Sequence, residues 1–228
     1  MLTLAVQSDG SSISLTPTVV ALAGYTGRDR SSVQAHIAEL AKLGVEGPKS
    51  YPVVLAVTAD RLTTDSKIEV LHGETSGEAE FAIVLTGGKK FIAAASDHTD
   101  RKNEALHMGM AKQVVPRILS REVWRFDAIE SHWDQIALKS YANVNGKRIL
   151  YQDTTVGTIL PVDDIIACVA KHCRRPLEEA VILSGTVPIL SGTTQYASHF
   201  EVEMGDPVTR RTLRVAYDVV VNDWNVEP

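Results

Sequence analysis

Glu78 and Glu80 stand two residues apart at the head of an apolar run, Phe81-Ala82-Ile83-Val84-Leu85. On a β-strand, residues two apart point to the same side, so both carboxylates converge on one face. Charges that close repel unless a cation lies between them, and hard divalent ions prefer carboxylate oxygens. A second strand over residues 90–95 follows across Gly87-Gly88, a hairpin dipeptide. It leads into Ser96-Asp97-His98-Thr99-Asp100-Arg101, which brings Asp97 toward the two glutamates as a third hard ligand. Spacing alone also fits a plainer arrangement. The glutamates then lie on a solvated edge strand, and Asp97 caps a helix beside a surface arginine.

His36 and Glu39 are neighbours at i and i+3 of the helix expected over residues 31–43. A carboxylate beside an imidazole sets its tautomer and raises its basicity, as a general base requires; a surface pair has the same spacing. Lys112 precedes Pro116, and a lysine ammonium can stabilise an enolate or polarise a carbonyl.

These residues must be positioned by a chain rich in strands. Apolar and polar residues alternate through Leu2, Leu4 and Val6, then Ile13 and Leu15. Further strands are expected over 19–23, 53–57, 67–71, 78–85 and 90–95, and over 136–141 and 148–151 on either side of Asn145-Gly146. Others are expected over 180–183, 200–202 and 213–221. The 31–43 helix has Asp29 or Ser31 as its cap, Gly44 past its end, and Val33, Ile37, Leu40 and Leu43 along one face. Residues 161–173 form a second helix, with Asp163 and Asp164 in its first turn, and 97–112 holds a helical turn or two. Dominant strands with scattered helices define an α+β protein with a mixed or mainly antiparallel sheet.

The chain has 228 residues, enough for one sizeable core. Its formal net charge of -5 argues against the broad basic footprint of a nucleic-acid binder. Two cysteines, Cys168 and Cys173, are too few for a disulfide framework or a cysteine-rich zinc site. Without a signal-like start or a long apolar run, the expectation is a soluble cytoplasmic protein with no membrane partner. The phosphate-binding, dinucleotide, zinc-protease and serine-hydrolase motifs are missing.

Taken in order, the residues resemble the fumarylacetoacetate hydrolase superfamily. The match runs through Gly27-Arg28-Asp29, His36-Ile37-Ala38-Glu39, Pro48 with Pro52, and Glu78-Ala79-Glu80-Phe81-Ala82-Ile83-Val84. It continues through Asp97-His98-Thr99-Asp100-Arg101, Lys112 with Pro116, Ser184-Gly185-Thr186-Val187-Pro188 and Gly205-Asp206. It spans roughly residues 20–215 and looks most like a small prokaryotic branch known as a domain of unknown function. The chain departs from the superfamily in a longer loop-to-histidine spacing, Asp29 in place of Asn, Gly-Thr-Val-Pro in place of Gly-Thr-Pro, and only 16 residues between Glu80 and Asp97.

The resemblance implies a mixed β-sheet roll with few peripheral helices. It implies one catalytic domain over residues 1–228, with 1–50 as a possible small N-terminal subregion. Mg²⁺ or Mn²⁺ would sit on Glu78, Glu80 and Asp97. His36, oriented by Glu39, would activate water or shuttle a proton, and Lys112 would face the developing oxyanion. Arg28, Arg101 and Thr186 would bind a small-molecule carboxylate substrate, and the protein would be a homodimer. The expected reaction is hydrolysis of a C–C bond in a 2-oxo or 1,3-dioxo acid, acylpyruvate-like, through a metal-held enolate. That choice rests on retention of His36 and Glu39, the water-activating pair. The same device serves hydratases or dehydratases, isomerases and decarboxylases of 2-oxo or sugar-derived acids. A non-catalytic ligand-binding protein of the same fold is the distant alternative.

Overall fold

A computed structural model describes residues 1–31, 33–34, 48 and 50–222. Most of the expected 31–43 helix, including His36 and Glu39, lies outside the described residues; 30–31 and 33–34 are helical.

Ala79–Thr86 and Lys89–Ser96 form the central hairpin of a ten-stranded mixed sheet. Gly87 and Gly88 both take left-handed φ values, 56° and 71°. A two-residue hairpin turn needs that conformation, and glycine adopts it without strain. On one side the hairpin pairs with Ala180–Leu183, which runs parallel to Val19–Gly24. On the other it pairs with Arg117–Leu119 and Glu122–Arg125. Those two short strands fall in a stretch that the sequence pattern left unassigned. The N-terminal strand Leu2–Val6 runs parallel to Glu122–Arg125 and so belongs to this sheet.

The hairpin is buried on both faces, which is why its strands read as continuous apolar runs. Phe81 and Ile83 face one core, Ala82 and Val84 the other. That second core joins Leu4 and Leu15 from one end of the sheet to Val20 and Leu22 from the other. Strands so far apart in sheet order can share a core only if the sheet curls around it. The first core lies against a five-stranded sheet ordered Lys147–Thr155, Ala137–Val144, His199–Asp206, Arg211–Val221, Lys67–Val70. Phe200, Val202, Met204, Leu213 and Tyr217 supply its side of that core.

Beyond residues 30–31 and 33–34, the α-helices among the described residues are Arg101–Glu104, Met108–Val114 and Val162–His172. None is long and apolar enough to cross a membrane. The fold is α+β, a mixed β-sheet roll with few helices, as expected.

Candidate functional site

The hairpin register builds the site. Pairing runs from Thr86↔Lys89 at the turn to Ala79↔Ser96, and one step further the Asp97 N–H donates to the Glu78 carbonyl at 3.1 Å. Glu78 and Asp97 are therefore opposite each other, with Glu80 on the same face one pleat along. Glu80 is opposite Ala95, whose methyl leaves room for the carboxylate. Ligand oxygens of Glu78, Glu80 and Asp97 lie within 4.8 Å of one another.

Cations close around two of the three. Lys112, on the helix Met108–Val114, places Nζ 2.7 Å from Asp97 and 3.1 Å from Glu78 and donates to Thr99 Oγ1 at 2.7 Å. Arg101 reaches Glu78 at 3.1 Å and Glu104 at 2.7 Å and donates to Ser76 Oγ at 2.7 Å. Arg117, fully buried, places Nε 2.5 Å from Asp97 Oδ1. Its terminal nitrogens donate to the carbonyls of His98, Lys112, Val115 and Pro116, tying the Lys112 helix to the strand end. Burial alone would raise the Glu78 carboxyl; the charges of Arg101 and Lys112 outweigh it and hold the group at about 2. Burial would likewise discharge Lys112, but Asp97, Glu78 and Glu104 raise it above the ordinary lysine value.

Among the described residues, no cation pairs with Glu80. Burial, then the charges of Asp97 and Glu78, push its carboxyl well above the ordinary value. Among the described residues its one hydrogen-bond donor is the Gly185 N–H, at 3.0 Å from Oε2. Gly185 takes a φ of 88° in the loop after Ala180–Leu183. The loop is fixed by Ser184, whose Oγ accepts from the Phe81 N–H at 3.1 Å and whose carbonyl accepts from Thr26 Oγ1 at 2.6 Å.

The opposite side of the strand end is a neutral network. Ser96 Oγ and His98 Nδ1 meet the Tyr217 hydroxyl at 2.8 and 2.9 Å, and His98 Nε2 meets Thr75 Oγ1 at 2.9 Å. Burial, aided by the positive charge of Arg117, lowers His98 to about 3. It therefore stays neutral and structural. Asp100, not Asp97, is the helix cap: its Oδ1 accepts from the Asn103 N–H at 2.9 Å.

The donor set fits a hard divalent cation. Among the described residues, buried Asp97 Oδ1 is ion-paired with Arg117 but has no aligned hydrogen-bond donor, and Glu80 has a single one. Oxygen-only ligands of this kind are the set that Mg²⁺ takes. The structure thus brings Glu78, Glu80, Asp97 and Lys112 together. Arg101 joins them, but its guanidinium is shared between Glu78 and Glu104 instead of standing free for a ligand. Arg28 has no contact with the cluster. It forms a bidentate pair with Asp134 at 2.7 and 2.8 Å and lines a separate cavity of about 360 Å³. The isolated bridge between Gly27 and Ile159 turns it that way. Thr186 is exposed, donates to the Ala79 carbonyl at 3.1 Å and accepts from Gln152 Nε2 at 3.0 Å.

Glu104, Arg117, Gln152 and the Gly185 N–H were not legible as site groups. Gly185 had one signal, its place in the Ser-Gly-Thr segment. The others reach the site through long-range packing or sit in ordinary polar stretches.

The curled mixed sheet with an acidic cluster at its central hairpin is the fumarylacetoacetate hydrolase fold. A fumarylacetoacetate hydrolase family protein from Yersinia pestis CO92 superposes with a TM-score of 0.68 at 14% identity, covering 95% of this chain and 100% of that one. The structure of Cg1458 gives 0.65 at 15%, covering 91% and 78%. A 2-keto-3-deoxy-D-arabinonate dehydratase complexed with magnesium and 2,5-dioxopentanoate gives 0.65 at 16%, covering 90% and 74%. Within this fold the chain belongs to the DUF2848 family, described as a protein of unknown function, whose model matches residues 23–217. No curated protein sequence matches the chain.

Proposed function

We propose that the protein is a divalent-metal-dependent enzyme acting on a 2-oxo acid through its enolate. The observation that carries this reading is the triad of Glu78, Glu80 and Asp97, two of them buried and Glu78 partly so, with oxygens within 4.8 Å and no cation paired with Glu80 among the described residues. Three carboxylates at that separation are costly without a cation. Mg²⁺, or Mn²⁺, bound there would supply Lewis acidity toward the carboxylate and 2-oxo oxygens of a substrate. Lys112 contributes a fixed positive charge beside the developing oxyanion. Arg117 supplies a countercharge to Asp97, and the Gly185 N–H orients Glu80. On the resemblance, His36 with Glu39 handles the proton.

The reaction favoured is loss of water from a hydroxylated 2-oxo acid. A dehydratase of the same fold, complexed with magnesium and 2,5-dioxopentanoate, supports it. C–C hydrolysis of an acylpyruvate-like acid is the second reading, favoured by retention of His36-x-x-Glu39 in the sequence. Product analysis separates them, since only hydrolysis breaks a carbon–carbon bond. A homodimer in the cytoplasm is part of the same proposal.

The test is calorimetric titration with oxalate, a mimic of the pyruvate enolate, with and without Mg²⁺. Wild type should bind oxalate only with the metal, and Glu80→Ala should lose both. Folded wild type that binds neither would sink the enzyme reading.

A further inference from the structure

The chain's own cations already grip two of the three triad carboxylates. Lys112 Nζ lies 2.7 Å from Asp97 Oδ2 and 3.1 Å from Glu78 Oε2. Arg101 lies 3.1 Å from Glu78 Oε1, and Arg117 lies 2.5 Å from Asp97 Oδ1. Every carboxylate oxygen of Glu78 and Asp97 thus faces an ammonium or a guanidinium. A dication on the triad must share both carboxylates with these charges. Glu80 is held differently, since its Oε2 accepts from a neutral backbone donor, the Gly185 N–H.

The Lys112 ammonium is pinned where it stands. Its Nζ also donates to Thr99 Oγ1 at 2.7 Å, two residues beyond Asp97, and its side chain is only 8% exposed. Glu104 adds a further carboxylate 3.5 Å from Nζ. The backbone beneath it is fixed as well. The buried Arg117 donates to the carbonyl of Lys112 itself, to those of Val115 and Pro116 just past the helix, and to that of His98, the residue after Asp97. One guanidinium therefore fastens the helix Met108–Val114 to the strand end that bears Asp97. The positive charge of Lys112 stays beside the ligand oxygens.

Such a charge acts with opposite sign on the two partners of the site. It repels a dication held by the same oxygens, and burial strengthens that repulsion. It attracts an anion that coordinates the dication. It also offsets the mutual repulsion of the carboxylates, a task the metal would otherwise perform.

We propose that Lys112 is a resident counter-cation that keeps the metal exchangeable: it lowers the affinity of the triad for Mg²⁺ alone and raises the affinity of the metal-loaded site for the acid. Arg101 acts in the same direction on Glu78. This rests on the metal-dependent reading above and deepens it by assigning what sets the strength of metal binding at that site.

The experiment compares the full chain of wild type, Lys112→Gln and Arg101→Gln at mildly alkaline pH, where carboxylates relieved of a cation stay ionised. The readouts are calorimetric titration with Mg²⁺ alone, the thermal transition with and without Mg²⁺, and titration of the Mg²⁺-saturated protein with oxalate. Lys112→Gln should bind Mg²⁺ at least roughly tenfold more tightly than wild type and hold oxalate roughly tenfold more weakly. Its thermal transition should rise more with Mg²⁺ than that of wild type. A residue that merely shapes the site would lower both affinities together. Arg101→Gln, whose guanidinium is shared with Glu104, should tighten Mg²⁺ binding several-fold, and it decides the matter if Lys112→Gln does not fold even with the metal. Unchanged or weaker Mg²⁺ binding in the folded variant overturns the proposal and leaves the metal-dependent reading intact. Undiminished oxalate binding by Lys112→Gln overturns the second half of it. Wild type that binds neither Mg²⁺ nor oxalate overturns the metal-dependent reading and the proposal with it.

Discussion

A single backbone N–H steers Glu80, and only glycine can present it there. At Gly185, φ is 88°, and an added Cβ would stand 2.7 Å from the Ala23 carbonyl oxygen and closer still to Thr26 Oγ1. Backbone and a bonded hydroxyl cannot yield as a flexible side chain could. Gly185→Ala should cost about 2–4 kcal/mol of stability. By displacing the N–H it should also weaken Mg²⁺ binding roughly tenfold or more, as loss of a ligand-orienting partner does. Thermal unfolding and metal titration on the same variant check both. Retained Mg²⁺ affinity would show that Glu80 does not depend on this donor. Glu78, Glu80 and Asp97 were legible because they are joined by a local contact across a two-glycine turn. Gly185 is 105 residues away from Glu80, and its role depends on a strand pairing that no local pattern announces.

At the scale of elements, the five-stranded sheet carries an ion-pair network on its outer side. Glu201, on His199–Asp206, is 3.1 Å from Arg148 of one strand neighbourhood and 2.5 Å from Arg214 of another. The Arg148 guanidinium also stacks 3.3 Å over the Tyr141 ring. The hydrogen bonds from Arg148, with burial opposing and Arg214 assisting, hold Glu201 at about 2, below its ordinary 4.5. A depressed carboxyl contributes stability that is complete above its unfolded pKa and is lost as pH falls through the folded one. The window here runs from about 4.5 down to about 2. Both arginines are about half exposed, so screening reduces the gain. Glu201→Gln should cost about 1–2 kcal/mol at pH 7. The difference from wild type should shrink steadily from about pH 4.5 toward pH 2; denaturant unfolding across that range reads it. A difference independent of pH would assign the effect to packing. The hairpins about Gly87-Gly88 and Asn145-Gly146 were legible for a local reason, since positive φ at the turn is written into those residue types. Arg117–Leu119 and Glu122–Arg125 were not, because strands so short are recognised by their partners more than by their own periodicity.

For the whole molecule, the first core joins the two sheets through Phe81. Its ring meets Trp133 edge-on at 4.9 Å, and Trp133 in turn meets Phe126 at 5.5 Å. Phe81 is fully buried and is the neighbour of Glu80. Phe81→Ala should cost about 3–5 kcal/mol and lower Tm by roughly 10 °C for a chain of this length. Calorimetry with and without Mg²⁺ measures it. A small loss would mean that the sheets repack around the gap. Because successive strand residues face opposite sides, the packing that holds Phe81 inward also sets which way Glu80 points.

The amino-acid sequence by itself determined the strand-rich α+β character, the central hairpin and the convergence of Glu78, Glu80 and Asp97. Each depends on residue type and short spacing: alternation, glycines able to take positive φ, and a register counted outward from a two-residue turn. It also carried the order of motifs that marks the family. Only the tertiary structure decided which charges close over those carboxylates. It placed Arg117 against Asp97, tied Arg101 between Glu78 and Glu104, sent Arg28 to Asp134, and bonded Thr26 to Ser184 beside Gly185. The reason is physical. A charged side chain carries no local preference for one distant partner. Its pairing follows from how the curled sheet and its short helices pack, and burial then makes the pairing decisive.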